Sequence, residues 1–274
     1  MEIKSLRQYF YWAKNQASGK IIEHRADEIC ESASTIKVLI LTALFCEVEK
    51  GHLSLRQPLK IKKTHFSPNG SGILEDFYRV RPFTLYNLAF LMIIVSDNVA
   101  TNAIIELLGK DKINTYCKSF GLKHTRLLME RLTFSDESSV DDPRIGETTP
   151  REMGEFIERV LAGKILDQRH TKLFKKFLSC TTSSFFGRKL STPHTSPKPK
   201  IIEFGNKTGS YSYEKENWQF HSDCGFMKDK DGYYIFSVYS TGPTDKNMQY
   251  ATDSTSRREF AAVSQKIYTE LKKI

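Results

Sequence analysis

From Val38 to Cys46 the chain is almost wholly apolar and carries no Gly or Pro. The run is too long for an ordinary strand, so it predicts a buried helix, with Gly51 as its stop. Residues 8–24 are patterned differently. The aromatic-rich run Gln8 to Ala13 and the run Lys20 to His24 flank Asn15 to Gly19, which predicts a β-hairpin with Gly19 in the turn. Leu53 to Lys63 is short and mixed, and Ser67 to Gly72 is a loop. Thr84 to Val95 predicts a second apolar helix with Thr84 as its N-cap. Val99 to Leu108 predicts a third, ending at Gly109. Residues 131–148 show little hydrophobic periodicity and carry Asp136, Glu137, Asp141 and Asp142, which predicts a long surface loop. Thr149-Pro150-Arg151-Glu152 is a helix start, with Thr149 as N-cap, Pro150 at the first position and Glu152 closing a capping box. That helix reaches about Leu161, near Gly163, and Asp167 to Leu178 reads as an amphipathic basic helix.

The pattern then changes. Ser191 to Lys200 contains three prolines and reads as a connecting loop. Ile201 to Phe204, Phe220 to Met227 and Tyr233 to Tyr239 are strand-like, with Lys228 to Gly232 as a turn. Ser256 to Lys273 is an amphipathic helix with Phe260, Val263, Ile267 and Leu271 on one face. Strands thus come from both ends of the chain and helices from its middle. This implies an α+β fold: a sheet domain from residues 1–33 and 184–274, flanked by helices, with a helical domain, 34–183, inserted.

Composition narrows the function classes. The 274 residues, 39% hydrophobic and 12% aromatic, suffice for one large domain or two interlocked ones. No apolar run approaches the roughly 20 residues of a membrane span. Met1 to Gln16 lacks the apolar core of a signal peptide, so either the protein is cytoplasmic, as the chain is written, or the sequence begins after a removed leader. The five cysteines are scattered and lack C-x-x-C spacing, which argues against zinc and a disulfide framework and for free buried thiols. No cofactor or metal is expected. The net charge is +9, with basic clusters at Lys172 with Lys175-Lys176, Lys198 with Lys200, Arg257-Arg258 and Lys272-Lys273. They are spread out and not interleaved with aromatics, so they read as solvated faces and not as a nucleic-acid site. The charge suits anionic substrates or surfaces.

The candidate chemistry begins at the head of the first apolar helix. Ser34-Thr35-Ile36-Lys37 puts a serine and a lysine one turn apart on the same face. A buried ammonium is costly unless paired or neutralised. Burial and neighbouring positive charge lower a lysine pKa and can make it a general base, which a serine nucleophile needs. The same spacing recurs at Ser212-Tyr213-Glu214-Lys215, in a polar stretch without helical patterning, and reads as coincidence. Two further motifs follow in order, Ser96-Asp97-Asn98 and Lys207-Thr208-Gly209. Taken singly, Ser96-Asp97-Asn98 also reads as a helix cap and Lys207-Thr208-Gly209 as a strand end.

As an ordered trio these motifs resemble those of the class A β-lactamases and penicillin-binding proteins. The likeness covers nearly the whole chain, including Ala33 to Lys37, Ser96 to Asn102, Thr125-Arg126-Leu127 and Thr148-Thr149-Pro150. It implies a β-lactamase/transpeptidase-like fold with an antiparallel sheet, a monomer, and a β-lactam or peptidoglycan-like small-molecule substrate. It assigns roles by position. Ser34 attacks the acyl carbonyl and Lys37 takes its proton. Ser96 passes a proton to the leaving nitrogen, and Asn98 holds the substrate amide. Lys207 keeps the site positive and depresses the Lys37 pKa, and Thr208 binds a substrate carboxylate. Gly209 completes the strand motif, and the backbone N–H groups of Ser34 and Ser210 form the oxyanion hole. The chain departs from the family in the long loop, where class A enzymes carry a water-positioning glutamate and an asparagine. Glu130 is the nearest acid, a residue or two out of place, with no asparagine at the family's spacing; it reads either as the catalytic acid that removes the acyl group or as a structural partner of Arg126 or Arg131. A D-Ala-D-Ala peptidase or esterase, or a β-lactam sensor that stays acylated, uses the same acylation machinery. Members of this family are usually exported, in contrast to the absent leader.

Overall fold

The computed structural model describes residues 7–66, 70–77, 82–133, 144–213, 217–244 and 254–273. Strands β1 (Gln8–Asn15) and β2 (Ile21–His24) form the predicted hairpin, and Gly19 takes the positive φ of +74° that its turn requires. The short strand β3 (Cys30–Glu31) leads through a 3-10 turn, Ala33–Ile36, into α1 (Lys37–Glu49). α1 is apolar on all sides and is therefore wrapped on all sides. Every residue from Val38 to Phe45 is buried, and α2, α3, α4 and α6, described below, all pack against it.

Strands β4 (Pro58–Leu59) and β5 (Phe83–Thr84) pair with each other. Helix α2 (Leu85–Ile94) follows, with the Thr84 hydroxyl accepting the Asn87 N–H at 3.2 Å as its cap. α3 (Asn98–Leu108) is capped by Asp97 and ends at Gly109. The next helix, α4 (Lys110–Ser119), was not foreseen from the sequence. Its residues are mostly polar, and only Ile113, Tyr116 and Cys117 turn inward.

The stretch read as one long loop is partly a strand. β6 (Arg126–Leu127) and β7 (Gly146–Thr148) pair antiparallel, and β7 also pairs with β3. Residues 134–143, with the four acids of that loop, lie outside the described residues. α5 (Pro150–Leu161) starts as predicted, with the Thr149 hydroxyl accepting the Glu152 N–H at 3.1 Å. The capping box does not close. The Glu152 carboxylate instead accepts the N–H groups of Lys123 and His124 and the Thr125 hydroxyl. α6 (Gln168–Ser179) is capped by Asp167. No helix among the described residues is long and apolar enough to cross a membrane.

The main sheet takes β8 (Glu203–Tyr213), β9 (Trp218–Lys228) and β10 (Tyr233–Pro243) from the far end of the chain. Its order is β2-β1-β10-β9-β8 and all pairings are antiparallel. Side chains alternate across it. Trp12, Phe226 and Ile235 face the helical core, whereas their neighbours Ala13, Met227 and Phe236 face α7 (Thr255–Lys272) through Phe260, Ile267 and Leu271. α5 lies on the first face, so close that a Cβ on Gly154 would fall 2.2 Å from the Trp12 ring. The fold is α+β, with an antiparallel sheet covered by helices on both faces and an edge strand, β8, abutting the 3-10 turn before α1.

Candidate active site

The head of α1 is held against the edge of the sheet. A Cβ on Gly209 would lie 2.7 Å from the Ser34 nitrogen and 2.5 Å from the Ser222 hydroxyl oxygen, so only glycine fits there. The Ser222 hydroxyl donates to the Ser32 carbonyl at 3.1 Å, fastening β9 to the chain just before Ser34. Two non-glycine residues of the site sit at positive φ, Ala33 at +45° just before Ser34 and Ser96 at +57° against the Lys37 ammonium. Such backbone is strained and persists only where the surroundings impose it. One carboxylate oxygen of Glu31 accepts the Ala33 N–H at 3.0 Å and the Ile145 N–H at 3.2 Å, which supports the turn from below.

Lys37 is fully buried, and its ammonium donates to the Ser96 carbonyl at 2.8 Å, the Ser96 hydroxyl at 3.1 Å and Asn98 Oδ1 at 2.7 Å. The second motif therefore does two jobs. Asp97 is the helix cap, accepting the Ala100 N–H at 2.8 Å, while Ser96 and Asn98 turn to the lysine. Burial, and after it the positive charge of Lys207, press the Lys37 pKa well below the ordinary lysine value, against a smaller opposing pull from Asp97. No described hydrogen bond joins Lys37 to the Ser34 hydroxyl.

Lys207 is also buried, on β8, and donates to the Thr208 carbonyl at 2.7 Å. Burial pulls its pKa down to about 8. Beneath the strand, Asp223 is fully enclosed and accepts four hydrogen bonds, from Ser184, the Phe185 and Phe186 N–H groups, and Asn206. Burial still pushes its pKa up to about 6. Thr208 is half-buried and Ser210 exposed, so β8 runs from the protein interior out to the mouth of the site.

Ser34, Lys37, Ser96, Asn98, Lys207, Thr208, Gly209 and Ser210 thus belong to one constellation at the junction of α1, α3 and β8. Glu130 does not join it. Its side chain is 72% exposed and pairs with Lys110 at 2.9 Å. The expectation that it serves as the water-activating acid is corrected on that ground, and its ion-pair partner is neither Arg126, which binds Glu147, nor Arg131. The sequence reading also missed Ser71. Its hydroxyl donates to the Ser96 carbonyl at 2.7 Å and lies 3.3 Å from Asn98 Oδ1, and its carbonyl accepts the Asn98 N–H at 2.8 Å. The adjoining Gly72 was the available signal, since its φ of +121° lets the loop pass over Asp97.

A sequence model of the family described as "Beta-lactamase enzyme family" matches residues 3–271. The chain is 28% identical over 256 residues to the beta-lactamase CTX-M-97 of Escherichia coli, covering 93% of this chain and 81% of that one. Its fold is similar to a beta-lactamase from Sphaerobacter thermophilus, with a TM-score of 0.79 and 22% identity over 96% of this chain and 91% of the other. It is similar as well to PBP-A, solved as a mutant in an acyl-enzyme complex with penicillin G. There the TM-score is 0.74, with 21% identity over 97% of this chain and 92% of the other.

Proposed function

Because the chain belongs to the beta-lactamase enzyme family, we propose that it is a serine hydrolase that opens β-lactam amides through an acyl-enzyme on Ser34. The observation that carries the reading is the environment of Lys37. An ammonium so enclosed, with Lys207 beside it, gives up its proton readily. Neutral Lys37 then has a lone pair with which to take the Ser34 proton, directly or through water. The attacked carbonyl becomes a tetrahedral oxyanion, which in this reading the backbone N–H groups of Ser34 and Ser210 stabilise. Ser96, hydrogen-bonded to Lys37, relays the proton to the leaving nitrogen. Asn98 offers its amide nitrogen to the substrate, since its oxygen is held by Lys37. Lys207 and Thr208 receive the substrate carboxylate. A monomer suffices for this chemistry.

Incubation with benzylpenicillin followed by intact-mass spectrometry tests the reading. The expected result is an adduct of one penicillin on Ser34, absent in Ser34→Ala, that decays with turnover. Absence of both adduct and turnover would overturn it. The exposed Glu130 favours a second reading for the later half of the reaction, a peptidase or sensor in which the acyl group persists. A stoichiometric adduct that outlasts the incubation selects that reading, and sustained hydrolysis selects the first.

A further inference from the structure

A cavity lies away from the Ser34 site. It holds about 660 Å³ between the start of α2 and one face of α6. Arg56, Arg169, Lys172 and Lys176 line it together with Tyr86 and Leu173, and no acid does. Arg169, Lys172, Leu173 and Lys176 fall at i, i+3, i+4 and i+7, so α6 stacks three cations on this side. Their charges are not spent on protein partners. Arg56, Arg169 and Lys172 make no side-chain hydrogen bond or ion pair among the described residues, and Lys176 reaches only the Tyr86 hydroxyl, at 3.5 Å. Lys175, on another face of α6, is by contrast paired with Glu203. The acids at the head of α6 are also engaged, Asp167 and Glu49 lying 3.0 and 3.1 Å from His170 Nδ1. The first N–H groups of α2 are taken by the Gln57 and Leu55 carbonyls, so the positive field here comes from side chains.

We propose that this cavity binds a phosphate-bearing ligand. Like charges one helical turn apart destabilise a helix, and an anion between them removes that penalty. Two guanidinium forks contributed by different elements suit the oxygens of a phosphate, with lysines as additional point charges. Tyr86 and Leu173 offer an apolar wall for the rest of the molecule. The cavity lies at the opposite end of α2 from Ser96, so the ligand is not the substrate of the Ser34 site.

Inorganic pyrophosphate, titrated calorimetrically into the full chain at low and at physiological salt, tests the free ligand. Vesicles of phosphatidylglycerol, against phosphatidylcholine alone, test a lipid headgroup. The expected result is saturable binding of pyrophosphate or of the anionic vesicles, weakened at least tenfold by Arg169→Gln with Lys172→Gln. The charge-matched pair Lys118→Gln with Lys123→Gln should bind like the parent, and benzylpenicillin acylation should be unchanged in both. Saturation by pyrophosphate identifies a soluble ligand, and vesicle binding without it identifies a headgroup. Failure of both probes overturns the proposal. So does an equal loss in the charge-matched pair, which leaves net charge as the only attraction.

Discussion

At the scale of single residues, the chemistry rests on two enclosed lysines, of which Lys207 depresses the pKa of Lys37. Lys37 must be neutral to act as a base, whereas Lys207 must be charged to hold a carboxylate. Lys207 loses its proton as pH rises through about 8. The kcat/KM for a carboxylated β-lactam, which reports the free enzyme, should therefore fall above that pH. Lys207→Arg keeps its charge at every accessible pH, so its profile should lose this basic limb even if its absolute rate is lower. A pH–rate profile of the variant that still turns down near 8 would remove Lys207 from the role. Glu130 makes the opposite case. It is exposed and its ion pair with Lys110 is worth at most about 1 kcal/mol. Glu130→Gln should leave the rates of acylation and deacylation within about twofold, as read by stopped-flow and intact mass, because 1 kcal/mol at a remote surface site scarcely reaches the reacting atoms. Trapping of the acyl-enzyme in this variant would reverse that conclusion. The serine and lysine were legible because burial of a lysine on an apolar helix is itself a signal. The acid was misread because spacing from a motif says nothing about which way a side chain turns where the chain leaves regular structure.

At the scale of elements, what places the site is a set of short-range ties between segments. α1, α2 and α3 were legible from apolar runs and caps, and β8 to β10 from strand-like runs and the turn between two of them. α4 was not, although Ile113, Tyr116, Cys117 and Phe120 repeat at i, i+3, i+4 and i+7. The polar residues between them masked the stripe. β3, β6 and β7 are two or three residues long and have no periodicity to read; pairing with one another defines them. The β9–β10 turn is tied to α7 by Asp229, which accepts the Asp231 and Gly232 N–H groups and the Tyr234 and Tyr268 hydroxyls, and pairs with Lys272 at 2.8 Å. These donors outweigh its burial and lower its pKa to about 2. The unfolded value is about 3.9, so the native state binds fewer protons between the two. The stabilisation is complete above the unfolded pKa and is lost as pH falls toward 2. Asp229→Asn should lower the melting temperature at pH 7, by the equivalent of ~1–3 kcal/mol for the weakened network. The gap to the parent should close between pH 5 and 2 in calorimetric scans. A gap independent of pH would mean that packing, not charge, makes the tie.

At the scale of the whole molecule, the sheet is the common wall of two cores. Its origin in both chain ends was legible from the order of elements alone, since strands open the chain and return only after the run of helices in its middle, before the final helix α7. What the order could not convey is that α5 and α6, from the middle of the chain, cover one face while α7 covers the other. Ser34 sits where the helical core meets the edge strand β8, so its geometry depends on both faces of the sheet. Phe260 of α7 is fully buried on the side away from the site, against Tyr9 and Phe185. Trp12 is buried on the site's side, under α5. Because β1 carries Trp12 on one face and Ala13 on the other, the two cores share one backbone ladder. Phe260→Ala should cost about 3–5 kcal/mol from lost transfer energy and the cavity left behind. If the wall couples the cores, that loss appears in both at once. The urea midpoint read from tryptophan fluorescence and the midpoint read from penicillin acylation of Ser34 should shift together, by the same amount and with unchanged slope. A shift in fluorescence alone, with acylation surviving to the parent's midpoint, would show that the half carrying Ser34 folds without α7. β1, β9 and β10 each lend side chains to both cores, which favours the single transition.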